Sequence, residues 1–528
     1  MQSKHPIFLQ EPYNLGLLFE KECASHSYRI ALRFENGMVI DYLSLNSRAN
    51  QIANLLKKKG VARQDVVVIL NNKELNEFAG MLACLKIGAI YANLDSSNPA
   101  DRLLKMINTC LPKTILFDSA HSSLNFNKND FKTVCVDFSS KEFKLEIQEA
   151  DSNNLPETRN IHGNMAAYIM FTSGSTGFPK GVVITHANVM HFINWSKSRF
   201  EVTPNDVVAN VNPIYFDNSV FDFYTALFNG ASLAPIPHSI LKKPIELLKI
   251  INNLGCTLWF SVPSLLIYLL NLKIIKSNDF KNIRKIIFGG EGFPKPKLKL
   301  LYDLFSDRIT FTNVYGPTEC TCICSSYDLR TDDLNDLNGI LPLGEINSNF
   351  DFLILDEFGK QVSQGAVGEL CLLGPCVGKG YYGNFELTNN SFKKNPYSIH
   401  LPETMYCTGD LVYQNTITHT LHFVARKDNQ IKYQGYRIEL DEIEAAFYRL
   451  SYVDEAVVIY SQNDIATAKI TAFIATNDNK TETEVVSDIR KLLPEYMVPK
   501  RIVFKPILPK NKNGKIDRVL IANECSEL

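Results

Sequence analysis

The sequence predicts an α/β protein: a large N-terminal domain of βα subdomains with a small β subdomain, followed by a small α+β C-terminal domain. Three observations predict it. From about residue 40, apolar residues at helical spacing alternate with short apolar runs of buried-strand type. From about 338 to 425, short β-type runs separated by glycines take over. Beyond about residue 428 the pattern turns into a compact α+β module. A chain of 528 residues is too long for one ordinary domain, which agrees with this division into 1–427 and 428–528.

The elements follow in order. Leu45, Ala49, Ile52 and Leu56 recur at helical spacing and Lys57-Lys-Lys-Gly60 ends that helix. Val66–Leu70 reads as a buried strand, Leu75–Lys86 as a helix, Ala89–Ala92 as a strand, the segment after Pro99 as a helix and Lys113–Phe117 as a strand. Such repetition argues for a parallel sheet covered by helices. Residues 119–163 are polar and are expected to form an irregular excursion. The βα rhythm resumes at Val207–Val211, Thr257–Phe260 and Lys285–Phe288, each ending near polar or glycine residues, where ligands sit in open α/β sheets. Phe350–Leu355 and Gly368–Leu373 read as strands of the β subdomain. In the C-terminal module Asp441–Phe447 and Thr483–Leu493 read as helices, and Glu455–Tyr460 and Ile470–Ala475 as strands.

Composition excludes several classes. Hydrophobic residues make up 45% and charged residues 21%, the balance of a soluble globular protein. The net charge is −1 with lysines dispersed, which argues against nucleic-acid binding. No apolar run is long enough to span a bilayer and the N-terminus lacks a signal-peptide pattern, so a cytoplasmic location is expected. The twelve cysteines are scattered, and Cys320-Thr-Cys322-Ile-Cys324 lacks zinc-site spacing, so they read as reduced packing thiols.

The stretch Phe171-Thr-Ser-Gly-Ser-Thr-Gly-Phe-Pro-Lys-Gly181 is the densest chemical signal. Against the P-loop pattern G-x-x-x-x-G-K-[ST], Pro179 occupies the second glycine position and Gly181 the hydroxyl position, so it is not a P-loop. Its backbone N–H groups, hydroxyls and Lys180 still suit a polyphosphate. A flexible surface loop is the alternative.

Six stretches decide between them. Tyr168–Gly181, Asn313-Val-Tyr-Gly-Pro-Thr-Glu319, Gly368-Glu-Leu, Tyr406-Cys-Thr-Gly-Asp410, Arg426–Glu439 and Pro509-Lys-Asn-Lys-Asn-Gly-Lys515 occur in this order. In them the whole chain resembles the adenylate-forming superfamily of acyl-CoA synthetases, luciferases and nonribosomal peptide synthetase adenylation domains. Within it the sequence looks most like amino-acid adenylation enzymes, including D-alanine:carrier-protein ligases.

The resemblance implies ATP and Mg²⁺ as cofactors and a mobile C-terminal domain. It implies that Thr172, Ser173, Gly174, Ser175, Thr176, Gly177 and Lys180 wrap the β- and γ-phosphates, that Thr318 meets the α-phosphate, and that Glu319 holds Mg²⁺. Asn313, Tyr315, Gly316, Gly289 and Gly290 belong to the nucleotide site, Asp410 to the ribose hydroxyls and Arg426 to a neighbouring ribose contact. Lys515 is the expected catalytic residue, bridging the substrate carboxylate and the α-phosphate. Asp428 matches the hinge and Gly435 the thiol tunnel. Departures are mild: Ala425 stands where glycine is usual, Cys407 where a basic residue is common, and Phe385 where proline is common.

Within Phe216–Tyr224, Asp217 matches the aspartate that binds a substrate α-ammonium. A carboxylate in an apolar pocket favours a cationic amine over a plain acid. Asn218, Phe221, Ser261, Ile287, Gly289, Val314, Cys322 and Ile323 are implied to line the side-chain pocket, which lacks a second charge and suits a small or medium neutral residue. No carrier or condensation domain is recognisable, so the expected acceptor is a phosphopantetheinylated carrier protein in trans. The alternatives are an acyl-CoA or aryl-acid ligase using CoA, and a catalytically silent nucleotide-binding regulatory protein.

Overall fold

The computed structural model describes residues 12–120, 133–174, 178–461, 468–476, 478–510 and 516–527. Two sheets carry the N-terminal part. One runs in the order Gly380–Tyr381, Lys180–Thr185, Ala166–Thr172, Ile90–Leu94, Val66–Leu70, Thr114–Phe117, Val134–Asp137. The other runs Glu345–Ile346, Ser325–Asp328, Thr310–Tyr315, Lys285–Gly289, Leu258–Ser261, Val207–Asn210, Ser232–Pro235, Ile30–Arg33, Val39–Asp41. Neighbours in the middle of each sheet are parallel. Antiparallel strands stand at both edges of the second sheet and at the Gly380–Tyr381 edge of the first, whose other edge, Val134–Asp137, is parallel. The α/β class predicted from the alternating pattern is the observed one.

Helices between the sheets share one core. Leu75–Ile87 is buried around nearly its whole circumference, because it lies between layers instead of on a surface. A capping box formed by Glu74 and Glu77 opens it and Gly88, in the left-handed region, ends it. Phe78 on this helix stacks on Phe223 of the helix Asn218–Leu227 at 6.0 Å, and the Tyr91 hydroxyl meets the Tyr224 hydroxyl at 2.8 Å. These contacts fix the strand ends of one sheet against those of the other. The helix Tyr42–Lys58 buries Leu45, Ala49, Ile52 and Leu56 as the spacing predicts, with Asp41 accepting from the Ser44 N–H at its start.

Residues 119–163 correct the expectation of an irregular excursion. The described part holds the edge strand Val134–Asp137, the helix Lys141–Glu149 and a short 3₁₀ turn at Pro156–Asn160. Ser140 caps the helix, and only Phe143 and Ile147 on it are buried, so its weak apolar stripe hid it in a polar stretch. An edge strand pairs on one side alone and needs fewer apolar residues.

The β subdomain forms an antiparallel sheet of Asp351–Leu355, Gly368–Leu373, Thr404–Gln414 and Phe392–Lys394, with Leu421–Arg426 also on Thr404–Gln414. Within the same stretch, Glu345–Ile346 and Gly380–Tyr381 join the two large sheets. The C-terminal part opens with the hairpin Gln430–Tyr433/Tyr436–Glu439 and continues as the three-stranded sheet Val453–Ser461, Lys469–Thr476, Arg501–Lys505. Its two faces alternate: Val458, Ile470, Ala472 and Ile474 pack under Leu440–Phe447 and Glu482–Arg490, while Val457, Ile459, Phe473 and Ala475 pack under Leu508, Ile521 and Cys525. Among the described residues no helix is long and apolar enough to cross a membrane.

Candidate active site

Thr172, Ser261, Gly289 and Tyr315 all end strands, so the carboxyl edges of both large sheets and the C-terminal hairpin enclose one cleft. The glycine-rich stretch connects the antiparallel strands Ala166–Thr172 and Lys180–Thr185. A P-loop leads from a strand into a helix, so the geometry agrees with the failed pattern match. The Thr172 hydroxyl is buried without a hydrogen-bond partner. At Gly174 a Cβ would meet the Phe178 carbonyl oxygen at 2.0 Å, so the turn requires glycine. Ser175, Thr176, Gly177 and Lys515 lie outside the described residues.

Glu319 is the electrostatic centre. Its carboxylate is fully buried, accepts from the Tyr381 hydroxyl at 2.8 Å, and lies 3.4 Å from Lys180 Nζ and 2.8 Å from Arg437 Nη1. Burial opposes ionisation, but Arg437, Lys180 and the Tyr381 hydroxyl outweigh it and hold the carboxyl well below the usual range. Burial and Arg437 lower the Lys180 ammonium from its ordinary value, with Glu319 opposing.

Asp217 keeps part of its surface open to the cleft, although it lies deep in the protein. The Thr318 hydroxyl donates to it at 2.6 Å, and no lysine or arginine forms an ion pair with it among the described residues. Burial raises its pKa, while the Thr318 bond works the other way. Asp217 stands at the start of Asn218–Leu227 but does not cap it. A buried carboxylate facing open space without a cation is an acceptor for an ammonium group.

Asp410 is engaged at both oxygens. Tyr315 donates to Oδ2 at 2.5 Å, and Arg426 Nη1 lies 2.9 Å from Oδ1. Arg426 also grips Asp428 through Nε and Nη2 at 2.9 and 2.5 Å. Tyr315, Asp410 and Arg426 border a cavity of about 470 Å³ together with Gly290, Asn313, Phe288 and Glu291. The Asn313 amide donates to the Pro342 carbonyl at 2.7 Å. Gly316, Thr318, Asp217 and Asn218 line the adjoining cleft of about 100 Å³.

The expected side-chain pocket is tightly filled. Phe221, Ile287, Val314, Cys322 and Ile323 belong to the buried core, Phe221 edge-on to Phe260 at 5.3 Å. Among the described residues, the cleft at Asp217 is lined by Asn218 but not by Phe221, Ser261, Ile287, Cys322 or Ile323. Ser261 borders a separate cavity of about 450 Å³, together with Phe216, Val262, His238 and Gly435. Gly435 lines both that cavity and the cleft.

Sequence reasoning missed several residues that close the site. Arg437 and Lys432 lie inside the quoted Arg426–Glu439 stretch but received no role; Lys432 Nζ sits 5.1 Å over the Tyr315 ring. Glu291 accepts from the Gly435 N–H at 3.0 Å. Arg102 and Glu442 form a buried ion pair, and Glu442 Oε2 also accepts from the Gly174 N–H at 3.3 Å. The Ser173 hydroxyl donates to the Arg437 carbonyl at 2.7 Å. Adjacent charges within the quoted Arg426–Glu439 stretch were the available signal for Arg437 and Lys432. Nothing local marked Arg102, whose partner is 340 residues away.

Comparison with known proteins agrees with this geometry. The family model "AMP-binding enzyme" matches residues 19–382, and "AMP-binding enzyme C-terminal domain" matches residues 442–515. The D-alanine–D-alanyl carrier protein ligase of Bacillus licheniformis is 32% identical over 496 residues, covering 92% of this chain and 95% of that protein. Bacitracin synthase 1 of Bacillus licheniformis is 33% identical over 503 residues, 95% of this chain but 9% of the synthase. The chain thus spans roughly a tenth of the length of such synthases. The Vibrio cholerae adenylation domain AlmE, solved with glycyl-adenosine-5'-phosphate, superposes with a TM-score of 0.80 at 21% identity over 100% of both chains. A holo nonribosomal peptide synthetase protein containing adenylation and PCP domains gives a TM-score of 0.81 at 23% identity, covering 97% of this chain and 84% of that one. With its residues 19–382 matching the AMP-binding enzyme model and a relative 32% identical along 95% of that relative's length, the chain belongs to the AMP-binding enzymes.

Proposed function

We propose that the chain is an AMP-forming ligase that activates a small neutral amino acid with ATP and passes it to the phosphopantetheine thiol of a separate carrier protein. The observation that carries this reading is Asp217, a carboxylate open to the cleft, with no ion-pair partner among the described residues, beside the glycine-rich turn. The similarity to the carrier protein ligase over 95% of its length supports the carrier as acceptor. The filled core behind Asn218 supports a small side chain.

In the first step a substrate carboxylate oxygen attacks the α-phosphorus of ATP, and the bond to pyrophosphate breaks. Asp217 holds the ammonium and Asn218 faces the side chain, while Phe221, Ile287, Val314, Cys322 and Ile323 form the filled core behind them and Ser261 stands on the neighbouring cavity. Thr172, Ser173, Gly174 and Lys180 hold the polyphosphate, the buried unpartnered Thr172 hydroxyl being one donor suited to it. Gly289, Gly290, Asn313, Tyr315 and Gly316 frame the adenosine, with Asp410 and Arg426 at the ribose. Thr318 meets the α-phosphate. Glu319 is the residue that would hold Mg²⁺, which would supply charge neutralisation at the phosphates. Lys515, outside the described residues, is assigned to the reacting oxygens by its motif. The described flanks, Leu508–Lys510 and Ile516–Ile521, pack on the C-terminal sheet and do not line the cleft.

In the second step a thiol sulfur attacks the acyl carbonyl and AMP leaves, the thiol proton passing to solvent or phosphate. The observed placement of the hairpin suits this step. Arg437 covers Glu319, Glu442 takes the Gly174 N–H, and Gly435 stands between the outer cavity and the cleft. Rotation about Asp428 would withdraw all three. The test is amino-acid-dependent ATP–pyrophosphate exchange across D- and L-amino acids, then loading of carrier proteins. Exchange driven by unsubstituted acids and not by amino acids would overturn the reading.

A further inference from the structure

Cys371 and Cys407 face each other across the antiparallel pair Gly368–Leu373/Thr404–Gln414, as direct register partners. Their sulfurs lie 3.6 Å apart, with Cys371 donating to Cys407. Cys371 is buried among Leu355, Leu373 and Met405, whereas Cys407 is partly exposed. The geometry is close to that of a bond. Directly opposed residues in an antiparallel pair have Cα atoms about 4.5–5.5 Å apart, inside the roughly 4.4–6.8 Å range that a disulfide spans. The sulfurs need to close to about 2.05 Å, which side-chain rotation supplies.

The pair sits next to the bulge in Thr404–Gln414 that carries Asp410. The Thr408 hydroxyl donates to the Leu370 carbonyl at 2.8 Å and accepts from the Asp410 N–H at 3.0 Å. The Thr408 carbonyl accepts from Arg426 at 2.8 Å, and the Gly409 N–H donates to Glu369 at 3.0 Å, where the strand register shifts. Movement of Cys407 toward Cys371 is therefore transmitted to Asp410 and Arg426 through one residue. Hydrogen bonding from Cys371 favours the Cys407 thiolate, and Lys393 and Lys427 partly offset the adjacent Glu369.

We propose that Cys371 and Cys407 form a redox modification site: a reversible cross-strand disulfide, made by exchange with a low-molecular-weight disulfide, that weakens nucleotide binding at Asp410. The Cys407 thiolate attacks one sulfur of the small disulfide, whose S–S bond breaks and releases one thiolate. Cys371 gives its proton to solvent, its sulfur attacks Cys407, and the second small thiolate leaves. Two protein thiols are oxidised and one small disulfide is reduced to two thiols. The bond itself stands independently of the AMP-forming reading; only its effect on nucleotide rests on that reading.

The experiment incubates the full chain with oxidised glutathione, blocks free thiols, and maps peptides by mass spectrometry. The expected result is a peptide pair joined through Cys371 and Cys407 that dithiothreitol separates, absent in Cys407→Ser and in Cys371→Ser. Finding Cys407 capped by glutathione with Cys371 still free, or both thiols unreacted, overturns the site. Melting curves of the reduced proteins check that each variant folds, and an unfolded Cys371→Ser leaves Cys407→Ser as the deciding variant. In the oxidised wild type, the ATP concentration for half-maximal exchange is expected to rise about threefold to tenfold and to return on reduction. A quantitative disulfide with unchanged ATP dependence overturns the coupling, while absence of exchange in the reduced protein counts against the enzymatic reading and not against the disulfide.

Discussion

Arg437 lies 2.8 Å from the carboxylate of Glu319, joining the C-terminal hairpin to a fully buried acid behind the cleft. Arg437 is at Oε2 of Glu319 while the Tyr381 hydroxyl and Lys180 are at Oε1, so in the proposed reading this docked arrangement, with the carboxylate engaged on both oxygens, is the one that serves the thiol step. A hydrogen bond to a buried charge is worth about 1.5–3 kcal/mol, or roughly 10- to 150-fold in a rate. Arg437→Ala is expected to slow carrier loading within that range while leaving pyrophosphate exchange within about threefold. Equal losses in both assays would show that Arg437 does not discriminate the two steps.

Arg102 and Glu442 extend the same contact. Because the ion pair is buried and spans the two parts of the chain, each partner alone is left with an uncompensated charge when the other is removed. In a double-mutant cycle of Arg102→Met and Glu442→Gln, the loading rates should be non-additive by about 1–3 kcal/mol. Additive effects on loading would mean that the pair does not hold the docked arrangement.

Asp217 gives the reaction a pH signature. Burial raises its pKa, so the carboxylate that must meet an ammonium is lost at a higher pH than an ordinary aspartate would be. As pH falls, kcat/KM for the amino acid in exchange is expected to drop on the acid limb before KM for ATP changes. Asp217→Asn should abolish selection for the amine at every pH. An acid limb unchanged in that variant would assign the titration elsewhere.

Much of this was legible in the sequence, and the limits are physical. Alternating runs such as Val66–Leu70 and Leu75–Ile87 revealed the parallel sheets because buried strands and sandwiched helices are apolar throughout. Thr172, Glu319, Asp410 and Asp217 could be named because each sits in a local motif; Thr172, Asp410 and Asp217 line one cleft, and Glu319 is buried behind Arg437, which lines it. The strand Val134–Asp137 and helix Lys141–Glu149 escaped because edge elements bury few side chains. The Arg102–Glu442 pair escaped because long-range electrostatic complementarity leaves no local pattern. The filled space around Phe221 escaped because motif spacing names lining positions but says nothing of how neighbouring aromatics close them.

His186 predicts how stability depends on pH. Its Nδ1 accepts from the Leu15 N–H at 3.1 Å while Nε2 is buried without a partner, so the ring is held neutral. Burial pushes its pKa from 6.5 down to about 3. Below the unfolded value the unfolded chain binds a proton that the folded chain refuses, so stability falls as pH drops from about 6.5 toward 3. The slope from this group is about 1.4 kcal/mol per pH unit. His186→Asn keeps an acceptor near Leu15 without titrating, and its stability relative to wild type should improve by up to that slope on acidification. Parallel urea-denaturation curves for the two proteins at pH 6.5 and 4.5 would remove His186 from the account.

Gly435 separates the two half-reactions most cleanly. Its φ of +81° belongs to the left-handed region, and a Cβ there would meet Val262 Cγ1 at 2.6 Å. Gly435→Ala therefore adds backbone strain of about 1–3 kcal/mol in the hairpin turn, common to every placement of the hairpin, and a clash with Val262 confined to the docked one, where the N–H meets Glu291. With the hairpin withdrawn the clash with Val262 disappears. Exchange should then stay near wild type while carrier loading falls about tenfold or more. Gly435 also lies between the outer cavity and the cleft, so the methyl group narrows the path a thiol would take. Loading at the wild-type rate, with aminoacyl-adenylate already formed, would mean that the thiol reaches the acyl group by another route.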